Sequence, residues 1–157
     1  MKNLDMKFIC TALIVSMALS AQSQITGASS HLNIGDNLAI EGYDPVSYFN
    51  GKKPVKGNTD YQYDHMGATY RFANSGNMDS FKANPEKYMP VYGGWCAYAM
   101  GATGDKVEVD PETFKIIDDK LYLFYNFFFN NTLKDWNKDE ASLKQKADKN
   151  WRMLISE

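Results

Sequence analysis

The sequence contains few of the residues that build recognisable metal and catalytic sites. Among 157 residues there are two cysteines, Cys10 and Cys96, and two histidines, His31 and His65. Their separations match no spacing of the kind that zinc modules use. A phosphate-cradling glycine loop, a Walker motif, an HExxH motif and a Ser, His and Asp order are also absent. These absences exclude assignment by motif to the common nucleotide-binding and hydrolytic classes.

The sequence also lacks an excess of charge of either sign. Seventeen Lys and Arg residues face 19 Asp and Glu residues, for a net charge of −2. The basic residues are scattered singly among acids and form no basic stripe. Nucleic-acid binding needs such a stripe to match the phosphate backbone, so we expect no nucleic-acid partner.

No apolar run is long enough to span a bilayer, which needs about 20 residues. The longest, residues 8–19, follows Lys2 and Lys7 and leads into the small residues Ser20, Ala21 and Ser23. This order predicts a signal peptide over residues 1–23, with a buried N-terminal helix as the alternative. We therefore expect a periplasmic or secreted protein with no stable membrane insertion after cleavage. Cys10 would leave with the signal, so Cys96 would be an unpaired thiol in an oxidising compartment.

Aromatic residues make up 14% of the chain, and they alternate with polar residues in two places. Residues 61–65 and 69–72 flank Met66-Gly67, and residues 114–117 and 121–125 flank a short acidic turn. A period of two on both sides of a turn predicts an antiparallel hairpin. The sequence therefore predicts two small hairpins.

Helical patterns surround these hairpins. Asn74 or Ser75 caps a predicted helix over residues 76–83, and apolar residues at three- and four-residue spacing predict two C-terminal helices broken near residues 137–139. We predict an exposed lead-in over residues 24–37 and one domain over residues 38–157. The fold class is α+β, with small antiparallel hairpins covered by short helices and a longer C-terminal helix.

Three strings resemble one known family. GYDPVSYF from Gly42, ATYRFANSGNMDSFKANPEKY from Ala68 and YGGWCAY from Tyr92 are similar to the YHS domain family. They resemble most its exported single-domain branch, which has YDPVAYF-like and GGYCAYG-like motifs. The resemblance extends over about residues 38–155 and implies the fold more strongly than a function.

The wider YHS family is associated with metals, through cysteines proposed as ligands in a DPVCGM-like opening and an FCS..C-like segment. In this sequence those places hold Ser47, and Ala73 with Asn77. The resemblance therefore gives no reason to expect a metal site of the ordinary family kind.

Cys96 is the residue most suited to chemistry. A thiolate binds soft metals such as Cu(I) and attacks electrophiles when its surroundings favour ionisation. Free cysteine is also among the most buried residue types, and the aromatic and apolar neighbours of Cys96 fit a small core residue equally well. Both interpretations stay open on the sequence alone.

His65 and His31 are the candidate partners of Cys96. If folding brings them together, Cys96, His65 and His31 would form a three-ligand site for a copper or zinc ion. A Cys96–His65 pair would instead suit a thiol enzyme, which also needs an orienting group and an oxyanion hole that the sequence does not identify. An exposed histidine at a hairpin end is the alternative for His65.

Four further residues are candidates for ligand binding, each with a structural alternative. Asp44 precedes Pro45 and would cap a helix start. Arg71 would recognise a carboxylate, or form a cross-strand ion pair or a ring stack. Tyr48 and Tyr98 would line a pocket, or pack as core rings with satisfied hydroxyls.

These observations lead to one functional hypothesis and two rivals. We expect an exported binding module for a small molecule or metal ion, with Cys96 near the site. We expect it to be a non-enzyme rather than an enzyme. The first rival is an enzyme that uses Cys96 as nucleophile. The second is an interaction module that docks on a protein partner through the apolar run Phe127-Phe128-Phe129.

Overall fold

The structure is a computed structural model that describes residues 30–50 and 53–156. The predicted signal peptide over residues 1–23 lies outside the described residues. None of the helices in the described part of the chain is long and apolar enough to cross a bilayer.

A four-stranded sheet forms from strands β1 (Ile34–Gly35), β2 (Leu38–Ala39), β3 (Asn58–His65) and β4 (Ala68–Phe72), in the order β1-β2-β4-β3. β3 and β4 pair antiparallel through the turn that the sequence predicts, and β2 runs parallel to β4. Along β4, Ala68, Tyr70 and Phe72 are buried and the residues between them are half-buried. The first hairpin of the α+β prediction is therefore confirmed.

The second predicted hairpin consists of β5 (Asp110–Ile117) and β6 (Lys120–Phe124), which pair antiparallel. Strand β6 lies between two core clusters. Leu121 and Leu123 pack into the cluster beneath the large sheet, and Tyr122 and Phe124 pack into the cluster beneath the C-terminal helix. Both faces of β6 are buried because successive strand side chains point to opposite sides.

In the described residues five α-helices cover these sheets: α1 (Ser75–Ala83), α2 (Pro85–Tyr88), α3 (Ala97–Ala102), α4 (Thr132–Trp136) and α5 (Glu140–Leu154). Three short 3-10 helices in the same part of the chain, Ile40–Gly42, Ser47–Asn50 and Val91–Gly94, lie between these elements. The side chain of Asn74 caps α1 by accepting a hydrogen bond from the Asn77 N–H at 2.9 Å. Helix α3 crosses α5 closely at Gly101, where an added Cβ would lie 2.5 Å from the Leu143 carbonyl oxygen. Short helices and a longer C-terminal helix are found as predicted.

Residues 30–37 differ from the exposed lead-in that the sequence predicts. Although the segment is polar, three of its residues contact the rest of the domain. The N–H of Asn33 donates to the Gly93 carbonyl at 2.8 Å, Leu32 packs on the core, and Ile34 pairs with Ala39. Only the turn around Asp36 is fully exposed among residues 31–37. This segment is therefore a structural part of the domain.

A third, very short hairpin follows β6. Strands β7 (Asn126–Phe127) and β8 (Asn130–Asn131) are joined by Phe128 and Phe129, whose side chains are exposed. The sequence did not predict this hairpin, because its turn contains none of the usual turn residues.

Candidate functional site

The carboxylate of Asp44 is fully buried, and both of its oxygens accept hydrogen bonds. Its Oδ1 accepts the N–H of Val46 at 2.8 Å, and its Oδ2 accepts the N–H of Ala73 at 2.8 Å and the side-chain amide of Asn77 at 2.6 Å. These bonds join the Asp44-Pro45 turn to the start of α1. Asp44 therefore acts in the fold, since its hydrogen bonds join two segments of the chain.

Cys96 precedes α3, and its side chain has no solvent exposure. The sulfur accepts the N–H of Tyr125 at 3.3 Å and lies 3.5 Å from Oγ1 of Thr132. The Thr132 hydroxyl donates to the Tyr125 carbonyl at 3.0 Å, so the thiol is the natural donor in the S···O contact. Cys96 thus has the contacts of a core residue that joins α3 to the end of β6 and the start of α4.

The structure does not bring the two histidines to this thiol as one site. The ring of His65 contacts Tyr63 and Phe81, and the ring of His31 contacts Trp151. In residues 30–50 and 53–156, no three or more His, Cys, Asp and Glu side chains lie close enough to hold a metal ion. The predicted set of Cys96, His65 and His31 therefore does not form a three-ligand copper or zinc centre.

The other three predicted ligand residues lie in different places. Tyr48 is a core ring whose hydroxyl donates to the Pro111 carbonyl at 2.8 Å, so its structural alternative holds. Tyr98 lies with Cys96 at a pocket of about 240 Å³. Arg71 has a buried Nε without a hydrogen-bond partner and no ion pair to another described residue, so carboxylate recognition by Arg71 stays a prediction.

One concave feature of the described residues is a cleft of about 870 Å³, called the aromatic cleft below. Tyr92 and Tyr122 form its floor, since they are its only fully buried lining residues. Trp151 of α5 lies at 6.3 Å from the Tyr92 ring and 6.4 Å from the His31 ring, measured between centroids. The cleft thus lies between residues 31–32, the 89–93 segment, strand β6 and the end of α5, with Met66 and Glu86 also in its lining.

The backbone at the floor of the aromatic cleft is unusual. Tyr92, Gly93 and Gly94 all have left-handed conformations, with φ of 53°, 63° and 87°. Glycine adopts this region freely, whereas tyrosine does so at a cost. An added Cβ at Gly93 would lie 2.6 Å from the His31 carbonyl oxygen and 2.9 Å from the Trp151 ring, so only glycine fits there.

A chain of hydrogen bonds gives the cleft a polar side. The Tyr92 hydroxyl donates to Oδ1 of Asp148 at 2.8 Å, and Nζ of Lys144 donates to Oδ2 of Asp148 at 2.9 Å. Burial, followed by the bond to Asp148, raises the pKa of Tyr92 far above its usual value, so the phenol stays neutral. The bond to Asp148 raises the pKa of Lys144, and the ammonium stays charged.

His31 adds an unsatisfied group to the same cleft. Its Nδ1 is buried and has no hydrogen-bond partner among the described residues. A buried polar atom without a partner costs about 1–3 kcal/mol, and such an atom is uncommon in folded proteins. Strain at Tyr92 and an unpaired nitrogen at His31 therefore occur at one place. Sparsely populated backbone conformations cluster at binding sites.

The remaining larger cavities suit a ligand less well. One of about 270 Å³ lies between β1, β2 and Gly94, and the pocket beside Cys96 has about 240 Å³. A third, of about 360 Å³, is lined only by polar and charged residues, among them Glu86, Lys87 and Asp119. Small-molecule sites usually measure about 300–1,000 Å³ and have a mostly apolar lining. Among these four cavities, the aromatic cleft alone combines that size with aromatic and apolar lining residues.

The fold and the cleft define a small α+β domain with one aromatic cavity at its side. Residues 46–92 match the family model of the YHS domain, and the chain therefore carries a YHS domain. The match ends at Tyr92, on the floor of the aromatic cleft. No curated protein and no solved structure gives a significant match to the chain.

The places where the wider family has its proposed cysteine ligands meet in space around Asp44. The Ser47 hydroxyl donates to the Asp44 carbonyl at 2.7 Å, and the N–H of Ala73 and the amide of Asn77 donate to its carboxylate. These groups offer a metal one carboxylate, whose two oxygens already accept three hydrogen bonds, and no thiolate. A metal centre built on cysteine ligands therefore does not fit here. Hydrogen bonds to Asp44 join these segments instead.

Sequence reasoning included Tyr92 among the tyrosines that could line a pocket, but it missed Asp148 and Trp151 as site residues. Tyr92 and Asp148 are 56 positions apart, and no motif links them. The one local signal was Gly93-Gly94, which marks a turn without showing what packs against it.

Proposed function

We propose that this protein is an exported, non-enzymatic binding module that holds a small, mostly apolar molecule in the aromatic cleft. The observation that carries this proposal is the cleft itself, with its volume of about 870 Å³ and its aromatic floor. Pockets of this size with few convergent polar groups are the usual form of a small-molecule site. The proposal extends the YHS domain, a family associated with metals, to an organic ligand.

The lining of the cleft specifies the chemistry of the ligand. Tyr92, Tyr122 and Trp151 present rings and edges that favour a flat or aromatic molecule. Four polar or charged residues line the cleft, and two of them, Glu86 and Lys120, are exposed and joined by a bond from Lys120 Nζ to the Glu86 carbonyl at 3.1 Å. The half-buried groups, Asp148 and His31, favour one hydroxyl, amine or amide on that molecule. We therefore propose a largely apolar ligand with a single polar end.

Cys96 is a separate matter in this proposal, because it does not line the aromatic cleft. The sequence analysis placed the ligand site near Cys96. Binding in the smaller pocket beside Cys96 is therefore an alternative to binding in the aromatic cleft. The residues that line the Cys96 pocket include no His, Asp, Glu, Lys or Arg. A thiol nucleophile needs a base within hydrogen-bond reach, so these surroundings do not support the thiol-enzyme rival.

The export part of the proposal rests on the order of residues 1–23 alone. We expect the protein recovered from outside the cytoplasm to have an intact mass that lacks the first 23 residues. A mass that retains them, with the protein found inside the cell, would contradict it.

The binding part is tested with anilinonaphthalene sulfonate, a fluorescent aromatic probe, titrated into the native protein. Ile155 and Met153 provide a matched pair near the end of α5, since they are 47% and 51% exposed and only Ile155 lines the cleft. In Ile155→Trp the new ring occupies the cleft, and in Met153→Trp it stays outside.

We expect one saturable site, weakened about tenfold or more by Ile155→Trp, which corresponds to about 1.4 kcal/mol, and unchanged by Met153→Trp. Equal Tm values for the three proteins would show that the fold is intact. Equal probe affinity in both variants would place the site elsewhere and contradict the proposal.

A further inference from the structure

Four hairpins in the described residues turn in two residues, and all four have both turn residues in the left-handed region. The turns are Asp36-Asn37 with φ of 50° and 62°, Met66-Gly67 with 52° and 80°, Asp118-Asp119 with 50° and 57°, and Phe128-Phe129 with 51° and 65°. This is the type I′ pattern, which favours Asn, Asp and Gly. Phe128-Phe129 is the exception, because neither residue is of those types.

The strain at Phe128 and Phe129 is not compensated by burial. Their exposed fractions are 92% and 110%, the highest among the large apolar side chains of the described residues. The turn therefore holds two aromatic rings in water on a backbone that suits neither. Strained backbone of this kind persists where function uses it.

The base of this hairpin is firmly attached to the domain. The Tyr125 ring packs on Phe127 at 5.1 Å, and the N–H of Thr132 donates to the Tyr125 carbonyl at 3.0 Å. The side chain of Asn131 caps α4 through the N–H of Leu133 at 3.1 Å. The two rings are thus presented at the end of a rigid projection.

The surroundings of the tip distinguish between kinds of partner. Residues 121–133 contain no Asp, Glu, Lys, Arg or His, so the tip carries no charge with which to recognise a charged surface. Two phenylalanine side chains bury at most about 400–500 Å², whereas a stable protein interface buries about 800 Å² on each side. A bilayer surface needs no matching contour and accepts aromatic rings at its interface.

We infer that the tip formed by Phe128 and Phe129 inserts reversibly into the surface of a lipid bilayer and holds the exported domain against it. Two rings are enough for weak, reversible attachment and too few for permanent anchoring. The attachment uses the apolar interior of the bilayer and not the charge of its headgroups.

The variant that tests this inference replaces the tip by the preferred type I′ pair, Phe128→Asn with Phe129→Gly. Because Asn-Gly suits this turn, we expect Tm to stay equal or to rise. The control variant, Val55→Ser with Met153→Ser, removes two other exposed apolar side chains. Each protein, with the same N-terminus, is sedimented with phosphatidylcholine vesicles at low and high salt.

We expect the unmodified protein and the control to bind the vesicles, and the Asn-Gly variant to lose about tenfold or more of its partition coefficient. We also expect binding to be insensitive to salt and to added phosphatidylglycerol. Equal binding of all three proteins would overturn the inference, as would binding that requires phosphatidylglycerol. An oligomer in the unmodified protein that the Asn-Gly variant abolishes, without vesicle binding, would overturn it in favour of a protein partner.

Discussion

At the scale of single residues, two of the most conspicuous polar groups act within the fold. Asp44 binds three donors through its two carboxylate oxygens, and the Cys96 sulfur contacts Thr132 and Tyr125. Sequence reasoning correctly considered a structural role for each, because a residue before proline and a cysteine between aromatics are common in folds. It could not decide between the alternatives, since the partners at positions 73, 77, 125 and 132 are distant in sequence.

The bonding of Asp44 predicts the effect of its amide and alanine variants. In Asp44→Asn one oxygen becomes a donor that faces another donor, and we expect a loss of about 1–3 kcal/mol in unfolding free energy. In Asp44→Ala all three donors lose their acceptor, and we expect a larger loss. Urea denaturation measures both. Asp60→Asn, at an exposed position, is the control and should stay within about 0.5 kcal/mol; equal effects at the two positions would refute the assignment.

The burial of Cys96 predicts that its thiol reacts slowly with alkylating reagents in the native protein. We expect iodoacetamide to modify Cys96 far more slowly in the native protein than in urea, and Cys96→Ala to lose about 1–2 kcal/mol of stability through its cavity and lost contacts. A new thiol in Val55→Cys, at a 45% exposed position, provides the fast reference. Modification of native Cys96 as fast as this reference would revive the thiol-enzyme rival.

At the scale of elements, the hairpins and helices were predictable where residues close together in sequence determine the structure. The strands β3 to β6 follow a period of two, and Asn74 marks the start of α1, so neighbouring residues contain the signal. The segment over residues 30–37 was mistaken for an exposed lead-in because its anchors, including the Gly93 carbonyl, lie far along the chain. Hairpin β7–β8 was missed because Phe128 and Phe129 oppose the usual turn preference.

The junction of α5 with β5 predicts how stability depends on pH. Lys115 bonds to the carboxylate of Glu140, and so does the Trp136 ring N–H at 3.0 Å. The Lys115 bond is the main cause that lowers the pKa of Glu140 below its usual 4.5. A carboxyl with a lowered folded-state pKa adds stability above its unfolded pKa and loses it as the pH falls through the folded value.

We therefore expect Glu140→Gln to be less stable than the unmodified protein at pH 7, with the difference shrinking as the pH falls below about 4.5. Urea denaturation at a series of pH values measures the difference. Glu108→Gln is the control, because Glu108 is exposed and has no ion pair to another described residue. A Glu140→Gln difference that is constant from neutral to acid pH would contradict this explanation.

At the scale of the whole molecule, two cores meet along β6 and leave the aromatic cleft where the second core opens to solvent. The cleft combines residues 31–32, the 89–93 segment, β6 and the end of α5, together with Met66 and Glu86. None of these pieces contains a binding motif, so the cleft is a property of tertiary packing. The sequence predicted a small-ligand site near Cys96 and contained no signal for the position of this cleft. The YHS domain over residues 46–92 supplies one wall, and the C-terminal helix supplies the other.

The measurement that tests this account most directly is a titration of the native protein with indole, followed by its backbone amide chemical shifts. The account predicts saturable shifts confined to the cleft, at residues 31–32, 66, 86, 89–93, 120–122 and 148–155. It also predicts that Ile155→Trp abolishes them while Met153→Trp preserves them. Saturable shifts centred instead on residues 96–99 and 130–132, around the Cys96 pocket, would contradict it.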